Sequence, residues 1–190
     1  MTPIVLNPFV ELSDEQFYQL CQDHHDLKFE RTALGELVIV TPVGGEGGSW
    51  EADLIGDLVY WNRQTQLGKV FSSSTCFKLP NGALRSPDAA WVILERWNQL
   101  TPEQQKRFPP ICPDFVIELR SESDALEPLQ QKMQEYISSG VQLGWLINPQ
   151  KRQVEIYRVN QDRQILENPK QLSGENVLPD FVFNLSTLWG

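Results

Sequence analysis

A short apolar run, Phe115-Val116-Ile117, ends on two charged residues, Glu118 and Arg120. The run reads as a buried strand. Burying an ionised carboxylate costs on the order of several kcal/mol unless it is paired or holds a metal. Any fold that accepts Cys112-Pro113-Asp114-Phe115-Val116-Ile117-Glu118-Leu119-Arg120-Ser121 must therefore neutralise the two charges at a sheet edge or give them something to act on.

The 190 residues are 41% hydrophobic and include six Trp and nine Phe, enough for one domain with its own core. No apolar run approaches the ~20 residues of a membrane span. The opening Met1-Thr2-Pro3-Ile4-Val5-Leu6-Asn7-Pro8 has neither the basic start nor the long apolar stretch of a signal peptide. Cys21, Cys76 and Cys112 are odd in number and widely spaced, which argues against a disulfide framework or a zinc site. A cytoplasmic protein that does not engage membranes is expected. Net charge −9 argues against a general nucleic-acid coat, because affinity for phosphate comes largely from Lys and Arg. It leaves room for an enzyme whose local cations offset the global charge.

Along the chain, Ser13 and Gln16 form a capping-box pair for a helix over 14–23. Strands are expected around 27–32 and 36–41, with a turn at Gly35. Gly44 to Gly48 reads as a flexible loop, and Ser49 as the cap of a helix over about 50–66 stopped by Gly68. Strand signals at 70–71 and 76–79, a turn at Pro80-Asn81-Gly82 and a strand at 89–94 follow. Thr101-Pro102 opens a short helix. After the strand at 114–119, Ser123 is the expected cap and Gly140 the stop of a helix over about 124–139. Strands at 143–147 and 154–157 come next, with a short strand expected at 179–183. The predicted fold is α/β (α+β), a mixed β-sheet flanked by helices.

Three charged positions depart from this apolar pattern. Asp88 follows Pro87 at the mouth of the strand at 89–94, where it also suits a turn. Glu118 shares a strand face with Arg120, with which it could form a plain ion pair. Lys132 falls beside Tyr136 at the border of the helical stripe, from where it could reach solvent or the strand ends. Together, two carboxylates and an ammonium make a cation site with a neighbour for water. Mg²⁺ (or Mn²⁺) needs only one or two protein carboxylates, and the carbonyl of Leu119 is a natural further ligand.

Arg85-Ser86-Pro87-Asp88, then Glu118-Leu119-Arg120, resembles the PD-(D/E)xK nuclease superfamily. With Gly44-Gly45-Glu46, Lys132-Met133-Gln134-Glu135-Tyr136 and Gly144-Trp145-Leu146-Ile147-Asn148-Pro149 added, the chain is similar to the "putative restriction endonuclease" family abundant in cyanobacteria, over about residues 10–160. The rest of the 1–190 domain is then a short C-terminal extension. The resemblance implies a restriction-endonuclease-like core, a DNA substrate, and Asp88 and Glu118 as metal ligands. Where the superfamily has lysine two after the glutamate, this chain has Arg120, which stays protonated and cannot act as a base but could hold a phosphate. Arg120 stands as the alternative to Lys132 among the catalytic candidates. In similar sequences the working lysine lies on the next helix, which matches Lys132. Glu122 stands where a proline is common and adds negative charge. Glu46, or Glu51 in its place, is a further candidate ligand. A homodimer suits the cutting of two strands, with Trp97 and Trp189 as candidate interface residues. The alternative is a catalytically inactive nuclease-like fold that serves as a binding or assembly module.

Overall fold

The structure is a computed structural model that describes residues 4–6 and 12–189. The opening segment read for a signal peptide lies mostly outside the described residues.

Strand β1 (Ile4–Leu6) runs antiparallel to β3 (Leu37–Val40) at one sheet edge. Between them, α1 (Asp14–Asp23) carries the reciprocal cap that the sequence predicts: Gln16 N–H donates to Ser13 Oγ, and Ser13 N–H to Gln16 Oε1. Strand β2 (Lys28–Arg31) follows it and pairs with β3.

Helix α2 (Gly45–Thr65) starts within the glycine segment, five residues ahead of the expected position. Gly44 is its extended N-cap, and Gly48 N–H already donates to the Gly44 carbonyl at 3.0 Å. Ser49 therefore lies inside the helix, and Glu46 sits in the first turn, where a carboxylate suits the helix dipole. The helix ends on Gln66 in the left-handed region rather than on a glycine. Gly68 instead opens β4 (Gly68–Ser72), where a Cβ would lie 2.3 Å from the Trp91 ring and from the Val92 carbonyl oxygen.

Two short strands, β5 (Phe77–Lys78) and β6 (Leu84–Arg85), complete a five-stranded antiparallel sheet in the order β1-β3-β2-β6-β5. Strand β7 (Ala89–Ile93) leads into α3 (Leu94–Trp97) and the Thr101-capped α4 (Pro102–Lys106). Then β8 (Phe115–Leu119), α5 (Leu126–Ser139) and β9 (Leu143–Asn148) form a crossover unit in which β8 and β9 run parallel. Gly140 closes α5 in the left-handed region, as expected. Its start differs from expectation: Ala125 is the N-cap, because Ser123 lies inside a turn closed between Ser121 and Asp124, with its hydroxyl on that of Ser121. Strands β10 (Gln153–Arg158) and β11 (Gln164–Glu167) extend a six-stranded mixed sheet in the order β11-β10-β9-β8-β7-β4.

The tail contributes β12 (Gln171–Ser173), β13 (Val182–Asn184) and α6 (Ser186–Trp189). Alternation along the six-stranded sheet separates its two faces. Trp91, Phe115, Ile117, Trp145 and Ile147 point to α2 and to the tail residues Phe181 and Phe183. Ala90, Val92, Val116 and Leu146 point to Met133 and Tyr136 of α5. Glu118 belongs to this second face. Trp97 and Trp189, the candidate interface residues, are half-buried: Trp97 lies 5.0 Å from the Phe71 ring, and Trp189 Nε1 donates to the Pro169 carbonyl.

Candidate functional site

Ala89 stands opposite Ile117 in the antiparallel pair β7–β8, so one further step sets Asp88 opposite Glu118. Leu119 N–H donates to Asp88 Oδ2 at 2.7 Å, which fixes the aspartate against the end of β8. Glu118 is 3% exposed; its Oε1 accepts from Tyr136 OH at 3.1 Å and lies 2.8 Å from Lys132 Nζ. Among the described residues, no hydrogen bond reaches Asp88 Oδ1 or Glu118 Oε2. Among the described residues, each carboxylate thus keeps one oxygen that accepts no hydrogen bond.

The structure adds a third carboxylate. Glu30 on β2 is 2% exposed and accepts from Lys132 Nζ at 2.9 Å, Ser86 N–H at 2.9 Å and Arg85 Nη1 at 3.1 Å. Arg85 is held in turn by Glu135 of α5, with Nε 2.5 Å from its carboxylate. Lys132 therefore bridges Glu30 and Glu118 instead of reaching solvent. Lys28, two residues before Glu30, places its Nζ 4.0 Å from Asp88 Oδ1.

The charges are unevenly matched. Burial works to raise the Glu30 pKa, but Lys132, Arg85 and Lys28 outweigh it and hold the group at about 2. For Glu118 burial prevails, supported by the charges of Asp88 and Glu30, and the pKa rises to about 7 despite Lys132. One ammonium cannot satisfy both glutamates, and Glu30 has the larger cationic company. Burial opposes charge on Lys132 itself, yet Glu118 and Glu30 raise its pKa above the ordinary value. It is a fixed cation. Burial and the Glu118 charge likewise push the Tyr136 phenol well up, so it acts as a donor.

Asp88, Glu118 and Lys132 thus come together as their spacing suggests. Arg120 does not pair with Glu118: its Nε donates to the Asp124 carbonyl and its Nη1 to Asn148 Oδ1 at 3.3 Å. It lies beyond the end of β8, so its side chain is drawn into the following turn and away from the carboxylate. Glu46 is exposed on the first turn of α2, and Glu51 lies one turn further on, half-buried. Neither joins the carboxylates: among the described residues, no three His, Cys, Asp or Glu side chains form a metal-holding group. A cation here would rely on Asp88 and Glu118 with backbone oxygen and water. That donor set fits Mg²⁺, a hard ion that keeps several waters. The under-compensated Glu118 and the two carboxylate oxygens without a hydrogen bond among the described residues fit it as well.

Glu30 escaped the sequence reading. The one available signal was the alternation Lys28-Phe29-Glu30-Arg31, which puts Lys28 and Glu30 on one face of the strand.

A mixed sheet with a parallel crossover, with Asp and Glu at adjacent strand ends and Lys on the crossover helix, is consistent with a restriction-endonuclease-like fold. The chain belongs to the family Uma2, described as "Putative restriction endonuclease", whose sequence profile matches residues 14–186. The fold is similar to that in a crystal structure of a "putative nuclease belonging to DUF820" from Anabaena variabilis, with a TM-score of 0.73 at 17% identity. That likeness covers 85% of this chain and 89% of the other. No curated protein is matched by the chain. No helix among the described residues is long and apolar enough to cross a membrane.

Proposed function

We propose that the protein is a metal-dependent endodeoxyribonuclease that hydrolyses DNA phosphodiester bonds. One observation carries this reading: Asp88, at the start of β7, and Glu118 on β8 sit side by side, each with one carboxylate oxygen that accepts no hydrogen bond among the described residues, beside a lysine held as a cation. Asp88 and Glu118 would hold Mg²⁺ or Mn²⁺, with the Leu119 backbone beside them. When bound, the ion supplies charge neutralisation at the phosphodiester and acidifies water.

The chain's own groups do the rest. Lys132 stays protonated between Glu30 and Glu118, so it orients the attacking water and stabilises charge on the phosphate rather than taking a proton. Glu30, gripped by Arg85 and the Ser86 N–H, fixes where that ammonium can sit. Tyr136 holds Glu118 through Oε1 and leaves Oε2 free. Arg120, tied to the Asp124 carbonyl and to Asn148, holds the turn that follows the strand end. A homodimer would present two such sites to the two strands of a duplex. Three free thiols agree with a reducing, cytoplasmic setting.

A second reading rests on Lys132 itself, which already neutralises part of the acidic site in a chain of net charge −9. In that reading the fold is a binding module without cleavage. Calorimetric titration of Mn²⁺ and Mg²⁺, with relaxation of supercoiled plasmid measured on the same samples, separates the two. The nuclease binds the ion and nicks DNA, while Asp88→Asn and Glu118→Gln, folded by circular dichroism, do neither. A wild type that takes up no ion and leaves the plasmid intact sinks the nuclease reading.

A further inference from the structure

We infer that Lys28 is the residue that grips the substrate's phosphate beside Asp88, an assignment that rests on the nuclease reading above. The site holds four cations, and three of them are already engaged. Lys132 is shared by Glu30 and Glu118 at 2.9 and 2.8 Å. Arg85 spans Glu30 and Glu135, and Arg120 is tied to the Asp124 carbonyl and Asn148. Lys28 differs. Among the described residues, its nearest carboxylate oxygen, Asp88 Oδ1, is 4.0 Å away, outside hydrogen-bond reach, and its ammonium makes no hydrogen bond.

Its position suits an oxyanion. The Lys28 side chain is 28% exposed, so part of it meets solvent while its charge still acts on buried Glu30. It stands on β2, in the five-stranded sheet, whereas Glu118 stands on the six-stranded one and Asp88 leads into it. A phosphodiester beside Asp88 would therefore be held by residues of both sheets. An ammonium with three free donors is a strong point-charge partner for a phosphate oxygen. In a chain of net charge −9 such a local contact weighs more than it would on a basic surface.

The test compares Lys28→Gln and Lys28→Arg with wild type. Fluorescence anisotropy with a labelled duplex oligonucleotide, in Ca²⁺ in place of Mg²⁺ to keep the duplex intact, is read across a salt series. Calorimetry with Mn²⁺ alone is run alongside. Lys28→Gln is expected to bind the duplex about tenfold more weakly, with the slope of log K against log salt smaller by about 0.9, the loss of one phosphate contact. Its Mn²⁺ affinity should be equal or higher, since a positive charge has left the neighbourhood of Asp88. Lys28→Arg should restore both affinity and slope. Unchanged duplex affinity and slope in Lys28→Gln, in a protein whose wild type binds and nicks DNA, overturns this assignment alone. A wild type that neither binds nor nicks DNA removes the nuclease reading and this assignment with it.

Discussion

Lys132 occupies the place where three carboxylates would otherwise repel one another, so its removal exposes what it compensates. Lys132→Met keeps the stem's volume but leaves Glu30 and Glu118 facing each other in a dry site. Breaking such a buried pair costs about 3–5 kcal/mol, and urea denaturation at pH 8 should show a loss of that size. The loss should shrink at pH 5.5, where Glu118 takes up a proton more readily. Wild type carries its own signature of the same imbalance. Glu118 has a folded pKa of about 7 against an ordinary 4.5, so its contribution to stability is complete below about 4.5 and disappears as pH rises through 7. Glu30, depressed to about 2, contributes above 4.5 and loses that contribution as pH falls toward 2. Metal-free protein should accordingly lose stability between pH 5 and 8, and Glu118→Gln should flatten that limb while leaving the acid limb intact; parallel urea midpoints in the two proteins would contradict it. Asp88, Glu118 and Lys132 were legible in the sequence because each puts a charge where the pattern calls for an apolar residue. Glu30 was not. Lys28-Phe29-Glu30-Arg31 looks like a strand with its charges in water, and Glu30 is buried only through partners such as Lys132, 102 positions away.

Elements were readable where a local rule sets their ends and obscure where tertiary packing does. The Ser13–Gln16 box and the Gly140 stop are such local devices, and both stand where the sequence puts them. The start of α2 is not one of them: glycines lower helix propensity, yet Leu54, Leu58 and Trp61 are anchored on the six-stranded sheet and carry the helix back through Gly45. Two glycines of this region should therefore respond in opposite directions. Gly56 lies exposed in mid-helix, and a methyl group added there would meet nothing within 4 Å, so Gly56→Ala should stabilise the protein by roughly 0.5–1 kcal/mol, the propensity difference. Gly68 opens β4 against backbone: its methyl would strike the Val92 carbonyl as well as Trp91, and neither can move without disturbing β7. Gly68→Ala should cost about 1–3 kcal/mol as an overpacked site. Thermal denaturation of the two variants decides it, and a shift of the same sign in both would show that the helix and strand are placed otherwise.

At the scale of the molecule, the two faces of the six-stranded sheet have different owners. The face that bears Glu118 is covered by α5 and the five-stranded sheet's loops, whereas the opposite face is covered by α2 together with the tail. The tail was expected to be an extension outside the nuclease-like core, since its irregular sequence after position 160 gave little periodicity to read. Its packing says more. Phe181 stacks on Trp145 at 6.1 Å and lies 5.7 Å from the Trp61 ring, and Trp61 Nε1 donates to the Pro179 carbonyl at 2.8 Å. Leu172, Leu178, Phe183, Leu185 and Leu188 join the same apolar cluster as Leu54, Leu58 and Ile117. Ile117 adjoins Glu118 on β8, so loosening this layer also loosens the strand that carries this carboxylate. Phe181→Ala should cost about 3–5 kcal/mol, the usual range for emptying an aromatic core position. A chain ended at residue 160 uncovers the whole layer and should lose cooperative unfolding, bind a hydrophobic dye and lack near-ultraviolet dichroism from its tryptophans. If the shortened chain instead unfolds in one sharp transition at an unchanged urea midpoint, the tail is an accessory, and the sheet's second face is closed by α2 alone.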